Sequence, residues 1–420
     1  MLFRADQKHK IKKLERYRKF LKEEVCQEII SIADELKGLK VVHLNATPKG
    51  GGVSEILKYL VPLMKGVGID AEWRVIPPNP EFFAVTKQIH NALQGKEYSF
   101  SEQEKRVYLE YNKRIAEWMN DSGTDILIVH DPQPLALIDS IPEKRGMISI
   151  IHIDTSSPNE EIRRFLIPFA QQYRRVVFSV SDFILPGLDR KNVLVFPPAI
   201  EPFSAKNRPI RLQSAKTILQ GLEIDTSRPL VTQVSRFDPW KDPMGVVDAY
   251  RIAKQEIPDL QLALVGLFLA QDDPEGISVL NQVKAHAGED KDIFLFHDVS
   301  QIGPLKVDTF VNIFQVSSDV VIQKSIREGF ALTVSEAMWK RKAVIGGNVG
   351  GIKLQIEHGK NGYLVETPIE AAKRIVELIK NPRKREQMGR QARKRVKDRF
   401  LMPRLLLDYL KMFREIKSED

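Results

Sequence analysis

A single cysteine, Cys26, stands among 420 residues, which excludes an internal disulfide and any metal site built on clustered thiolates. No uninterrupted apolar run approaches the ~20 residues that span a bilayer, and the N-terminal stretch lacks the apolar core of a signal peptide. No cluster of His, Cys and acids sits at metal-ligand spacing, and the adjacent acids Asp272 and Asp273 read as a solvated loop. Short-period repeats and low-complexity segments are also missing. With 43% hydrophobic and 28% charged residues, the chain reads as a globular cytoplasmic protein whose length suits two domains of roughly 200 residues each.

The formal charge of +9 is unevenly spread. Residues 1–20 carry +6 and residues 381–400 carry +7, which leaves −4 for the rest. The first basic segment continues into an apolar stripe of Ile11, Leu14, Tyr17, Leu21, Val25, Ile29, Ile32 and Leu36, whose spacing predicts one amphipathic helix. Such a helix packs on its own domain or on a second subunit, and the chain is expected to form a homodimer. Lipid or nucleic-acid contact is the competing use of a basic helix.

Apolar, β-branched strands alternate with helical patterns along the chain. In the first half they are residues 39–44, 126–129, 148–153 and 176–180; in the second, 230–234, 262–265, 293–296, 320–322, 343–345 and 363–365. This alternation predicts an α/β protein with two doubly wound, Rossmann-like parallel sheets. Between the arrays, the strand Val193–Phe196 ends in Pro197 and Pro198, which stiffen the chain and suit a linker. The expected domains are residues 1–200, with a helix at 400–420 packing back on them, and residues 201–399.

Four constellations carry chemistry. Arg327-Glu328-Gly329-Phe330-Ala331-Leu332-Thr333-Val334-Ser335-Glu336 follows the strand at 320–322 and opens a helix, placing a corner at a strand's carboxyl end, where open α/β sheets bind ligands. Gly329 lets the main chain approach a ligand, and the helix start offers N–H groups to a phosphate. Glu328 lies in the corner and Glu336 in the helix, so one carboxylate can meet a transferred sugar while the other reaches a nucleoside. In Ser235-Arg236-Phe237-Asp238-Pro239-Trp240-Lys241-Asp242-Pro243, two cations flank a turn and can neutralise a departing diphosphate. The loop Thr47-Pro48-Lys49-Gly50-Gly51-Gly52 opens a helix but has neither the Gly-Lys-Ser/Thr ending of a triphosphate loop nor the G-x-G-x-x-G pattern. His152-Ile153-Asp154 ends a strand, where the imidazole can bond a sugar hydroxyl.

Together these motifs resemble the retaining glycosyltransferases of the GT-B fold, family four, over nearly the whole chain. Closer in, Val129-His130-Asp131-Pro132-Gln133-Pro134, His152-Ile153-Asp154, Arg236 to Pro243 and Glu336-Ala337-Met338-Trp339 are similar to the trehalose synthase family, which moves glucose from a nucleotide-diphosphate glucose to free glucose. The Asp-Pro-Trp-Lys-Asp run is the most specific of these.

The resemblance implies a GT-B fold, two Rossmann-like domains facing a cleft, with nucleotide-diphosphate glucose and glucose as partners. Arg236 and Lys241 match the pair on the donor diphosphate, Glu336 the acid on the ribose hydroxyls, and Glu328 the acid at the donor sugar. The backbone of Gly329, Phe330 and Ala331 would contact sugar and phosphate, and His152 would meet the donor glucose near its 6-hydroxyl. Gly51 and Gly52 would offer N–H groups to the phosphates, while Asp131 and Asp154 are the candidates for acceptor glucose. No metal site or cofactor is expected, although Mg2+ can accompany the diphosphate. Three positions depart from the pattern: Ala331 replaces a common glycine, Ala343 a common proline and Ile151 a frequent cysteine. Other classes stay open, namely a sugar-nucleotide epimerase, a sucrose-type or lipid-directed glycosyltransferase, and a nucleic-acid binder using both basic runs.

Overall fold

The computed structural model describes residues 2–5, 12–119, 123–144, 146–267 and 274–419, so Ile11, Asp272 and Asp273 lie outside the described residues. The chain divides into two compact units, Met1–Ala199 with Met402–Asp420, and Ile200–Leu401. Each is a helix-covered α/β sheet, and the polypeptide passes from one to the other twice.

In the first unit, β1 (Phe3–Arg4), β2 (Lys40–Asn45), β3 (Asp70–Val75), β4 (Ile126–His130), β5 (Met147–Ile151), β6 (Arg175–Phe178) and β7 (Val193–Val195) make one sheet in the order β1-β3-β2-β4-β5-β6-β7. All neighbours are parallel except the β1–β3 pair. Helices on both faces explain why β4 and β5 are continuous apolar runs, buried at every position. β3 differs. Asp70, Glu72 and Arg74 alternate with buried Ala71, Trp73 and Val75, and the strand lies next to the sheet edge that β1 covers with only two residues.

The second sheet joins β8 (Leu230–Val234), β9 (Gln261–Val265), β10 (Ile293–Phe296), β11 (Val320–Gln323), β12 (Ala343–Gly347) and β13 (Tyr363–Val365) in the order β10-β9-β8-β11-β12-β13. Every pair is parallel. The order reverses direction between β8 and β11, so the loops leaving those two strands meet at the switch point where ligands bind in doubly wound sheets. Lys241 and Glu328 are in those loops.

The apolar stripe near the N-terminus is not one helix. Leu14–Phe20 is a 3-10 helix, Leu21 and Lys22 are extended, and Glu23–Glu35 is an α-helix. Buried Leu14 and Tyr17 are three residues apart, the repeat of a 3-10 turn, whereas buried Cys26, Ile29, Ile32 and Ala33 follow the α period. Helix Met402–Glu419 packs against Glu23–Glu35 and Gly52–Gly66 within the first unit. Its Arg404 guanidinium donates to the carbonyls of Pro197 at 2.7 Å and Pro198 at 2.9 Å, so that the double proline is pinned as well as stiff. No described helix is long and apolar enough to cross a membrane.

The second basic run forms helix Pro382–Arg399, which buries Met388, Gly389, Ala392 and Val396. Arg385 pairs with Asp319 at 2.9 Å, Arg393 lies 4.2 Å over the Trp339 ring, and Arg395 reaches Glu357 at 2.7 Å. These cations are engaged within their own unit. Gly389 sits where a Cβ would land on the backbone carbonyl of Arg341, a residue itself held at a φ of 62°. Helix propensity alone would favour alanine there by ~1 kcal/mol, but the overlap is with backbone that cannot swing away. Gly389→Ala is therefore expected to destabilise the protein by about 1–3 kcal/mol in urea unfolding; a stabilised variant would mean that this helix docks less tightly.

Candidate active site

The corner after β11 is built by its neighbours. Asp238 caps the 3-10 turn Pro239–Lys241 by accepting from Trp240 N–H at 2.9 Å, and Asp242 caps helix Pro243–Lys254 by accepting from Gly245 N–H at 3.1 Å. Pro239 and Pro243 each occupy a first helical turn, where their missing N–H costs nothing. The Asp242 carboxylate also pairs with the Lys324 ammonium, and the Trp240 carbonyl accepts from Ile326 N–H at 2.9 Å, so the loops after β8 and β11 are tied together. Gln233 completes the tie by donating to the Lys241 carbonyl at 2.8 Å.

This tie delivers the Lys241 ammonium to the Glu328 carboxylate at 2.8 Å, with the Ser325 hydroxyl donating to the same oxygen at 3.2 Å. Glu328 is only 8% exposed, and the cation and hydroxyl meet its Oε2 away from solvent. Arg236, more than half exposed, stands on the same turn, 3.7 Å from Asp238.

Beyond Glu328, Gly329 and Phe330 lead to Ala331, whose φ of 67° and ψ of 76° place it in the left-handed region at the start of helix Leu332–Trp339. Gln355 holds this strained corner by donating to the carbonyls of Phe330 and Ala331, while its own carbonyl accepts from the Ser335 hydroxyl at 2.6 Å. Gly351 is required opposite, because a Cβ there would overlap Gly329 and Phe330. Glu336 is 2% exposed, and its Oε2 is buried without a hydrogen-bond partner in the protein. One turn later comes Lys340, which motif spacing does not single out. Burial pulls its pKa down to about 7, against the opposing pull of the Glu336 carboxylate. The amine donates to Asn207 at 2.9 Å, Gln315 at 2.8 Å and the Glu336 carbonyl at 3.1 Å.

In the first unit, Asp131 follows β4 with a φ of 64° and accepts from the His152 backbone N–H at 2.8 Å, joining the ends of β4 and β5. Burial raises the Asp131 pKa, and His152 opposes that rise. Asp154 is buried, its Oδ1 accepting from the Ser156 amide at 3.0 Å and hydroxyl at 2.6 Å, which makes it a turn-forming residue. Gly51 caps helix Gly52–Gly66, and both glycines are exposed. A Cβ at Gly51 would meet nothing within 4 Å, so packing does not account for that glycine.

Of the five described non-glycine residues in the left-handed region, Asp131, Asp242 and Ala331 lie in these loops. Strain of this kind persists where surrounding structure over-determines it, as at ligand sites. Among the described residues no group of three or more His, Cys, Asp or Glu could hold a metal ion.

Comparison with known proteins shows the family. Residues 43–185 match the family described as trehalose synthase, N-terminal domain, and residues 214–395 match glycosyl transferases group 1. A trehalose synthase of Rubrobacter xylanophilus is 42% identical over 99% of both chains. The chain belongs to the trehalose synthase family. It is thus a hexosyltransferase acting in trehalose chemistry, and its fold is GT-B. That fold also appears in solved structures too distant to show more than architecture. A sucrose-phosphate synthase of Thermosynechococcus elongatus superposes with a TM-score of 0.71 at 15% identity, covering 91% of this chain and all of that one. A trehalose-phosphate synthase of Burkholderia xenovorans, solved with glucose 6-phosphate, gives 0.69 at 11% identity, covering 90% of this chain and all of the other.

Ala331 gives this family member a measurable liability. A left-handed Cβ costs about 1–2 kcal/mol, of which a glycine would recover part after its larger unfolded-state entropy is deducted. Ala331→Gly is expected to raise stability by about 0.5–1 kcal/mol. An unchanged or lower urea midpoint would show that the methyl makes compensating contacts.

Proposed function

We propose that this glycosyltransferase moves glucose, with retention at the anomeric carbon, from a nucleotide-diphosphate glucose to free glucose, forming trehalose. The observation that carries the reading is the corner in which Lys241 meets Glu328 at 2.8 Å beside a helix start and a buried Glu336 whose Oε2 has no partner in the protein. Breaking the sugar–phosphate bond puts negative charge on the diphosphate and oxocarbenium character on the sugar. Arg236, Lys241 and the N–H groups at the Leu332 helix start stabilise the first, and Gly51 and Gly52 add backbone donors. The Glu328 carboxylate lies at the sugar and steadies the second, with the backbone of Gly329, Phe330 and Ala331 alongside.

Glu336 takes the ribose hydroxyls on its unpartnered oxygen, and His152 binds the donor glucose near its 6-hydroxyl. Asp131 serves acceptor glucose. Asp154 has the weaker claim, since its Oδ1 is spent on Ser156. Front-face attack, with a donor phosphate oxygen taking the acceptor proton, needs no protein nucleophile. The second unit is the donor domain and the first the acceptor side. No cofactor is required, Mg2+ travelling only with the diphosphate. The reading extends to a cytoplasmic homodimer without membrane or nucleic-acid partners.

Incubation with nucleotide-diphosphate glucose and either glucose or glucose 6-phosphate, in buffer with and without chelator, is expected to give α,α-linked trehalose from free glucose and to survive chelation. Product formed only from glucose 6-phosphate would overturn the acceptor assignment, and donor turnover without any acceptor would point to an epimerase.

Kinetics separate the charged residues. Lys241→Ala or Arg236→Ala is expected to lower kcat/KM by on the order of 10²-fold, as loss of a transition-state charge contact does. Glu336→Ala should mainly raise donor KM, because its ribose contact is alike in ground and transition states, and Glu328→Ala should mainly lower kcat. Calorimetry finding nucleoside diphosphate bound as tightly by Glu336→Ala as by wild type would remove the ribose role.

A further inference from the structure

Three histidines from neighbouring parallel strands form a continuous chain inside the first unit. His43 lies in β2, His130 ends β4 and His152 follows β5. His43 Nδ1 is 3.0 Å from His130 Nε2, and His130 Nδ1 is 3.1 Å from His152 Nε2. The rings are near parallel, 21° and 11° apart in plane, with centroids at 5.3 and 5.4 Å. Each end of the chain is a buried nitrogen without a hydrogen-bond partner in the protein, His43 Nε2 inside and His152 Nδ1 at the other end.

Burial disfavours a charge on any of the three: the His43 pKa is pulled down to about 3, and those of His130 and His152 also fall. A neutral imidazole has one N–H and one lone pair, and an N···N contact near 3 Å needs one of each. Two such contacts in series leave only two arrangements. Either all three rings are Nδ1–H, or all three are Nε2–H, because any mixture sets two lone pairs or two protons face to face.

The two arrangements differ at the ends. With Nε2–H throughout, His43 keeps a proton permanently unmet in the core beside the Tyr409 ring, 5.7 Å away. With Nδ1–H throughout, the unmet proton is on His152, and His43 keeps only a bare lone pair, the less costly orphan. We propose that His43 and His130 are positioning residues that lock His152 as the Nδ1–H tautomer, making it a hydrogen-bond donor to an oxygen of the donor sugar. The inference rests on the placement of His152 at that sugar. The same lock disfavours a ligand that presents only a donor at this point, which makes the chain a determinant of substrate choice.

Histidine labelled with 15N in the ring, in the full-length protein, tests the lock directly through long-range proton–nitrogen correlation. Loss of one signal in each of His43→Phe, His130→Phe and His152→Phe assigns the three among the eight histidines of the chain. The expected result is three rings that are neutral at pH 7 to 8 and share the Nδ1–H pattern. A mixed pattern, or a shared Nε2–H pattern, overturns the proposal and leaves the sugar contact of His152 standing.

In turnover, His43→Phe should lower kcat by about tenfold with donor KM nearly unchanged, the scale of one mispartnered hydrogen bond, and should let His152 populate both tautomers. His43→Asn keeps an N–H in place of Nδ1 and should restore both rate and tautomer; it also serves if the Phe variant does not fold. Wild-type kcat in His43→Phe with His152 still Nδ1–H overturns the positioning role. Wild-type kinetics in His152→Phe would instead remove His152 from the sugar, and the proposed role would fall with it.

Discussion

Order in the second unit converges on the contact between the Lys241 ammonium and the Glu328 carboxylate. A carboxylate with 8% exposure needs a cation at hydrogen-bond distance, and a lysine side chain is flexible enough to leave unless its backbone is held. The holding is done by adjacency of β8 and β11, which brings two loops together, and by the Asp242–Lys324 pair and the Trp240 carbonyl, which bind those loops. Glu328 then sits three residues before the left-handed Ala331, in a turn that Gln355 and Gly351 support from the far side. Charge, strain and packing meet within a few residues, and a change in any of them moves the carboxylate.

Much of the fold was legible because parallel strands buried on both faces leave an unbroken apolar record. All six strands of the second sheet stand where apolar β-branched runs place them, and helix Leu332–Trp339 begins where the Glu-Gly-Phe-Ala corner predicts. β3 was missed for the complementary reason: near a sheet edge it alternates Asp70, Glu72 and Arg74 with apolar residues, and a search for continuous runs passes over it. β1 is two residues long and leaves no periodic record at all. The N-terminal stripe misled because spacings of three and four merge on a helical wheel, although a run of threes can wind as a 3-10 turn.

The candidate site was legible as a list of chemical types and less so as an arrangement. Glu328 and Lys241 could be named from their motifs, but the direct bond between them depends on strand order, which no local pattern contains. Asp154 shows the opposite ambiguity, since an acid after a strand is equally suited to closing its own turn on Ser156. Lys340 was invisible because its partners Asn207 and Gln315 lie 133 and 25 residues away respectively. The histidine chain did leave a signal: His43, His130 and His152 each interrupt or end an apolar run, and three polar rings in neighbouring buried strands need one another for hydrogen bonds.

The run from Asp238 to Pro243 is the most specific motif that the sequence offers, yet within it only Lys241 sends its side chain to the Glu328 carboxylate. Its aspartates cap, its prolines begin helical turns and its tryptophan carbonyl fastens a neighbouring loop. A fingerprint of this kind records scaffolding. Two enzymes that share it have inherited the same bracket for a lysine, and can still diverge in what that lysine is offered; a search keyed to the run will gather relatives by how their site is mounted, and the residues that choose a substrate must be sought elsewhere in the chain.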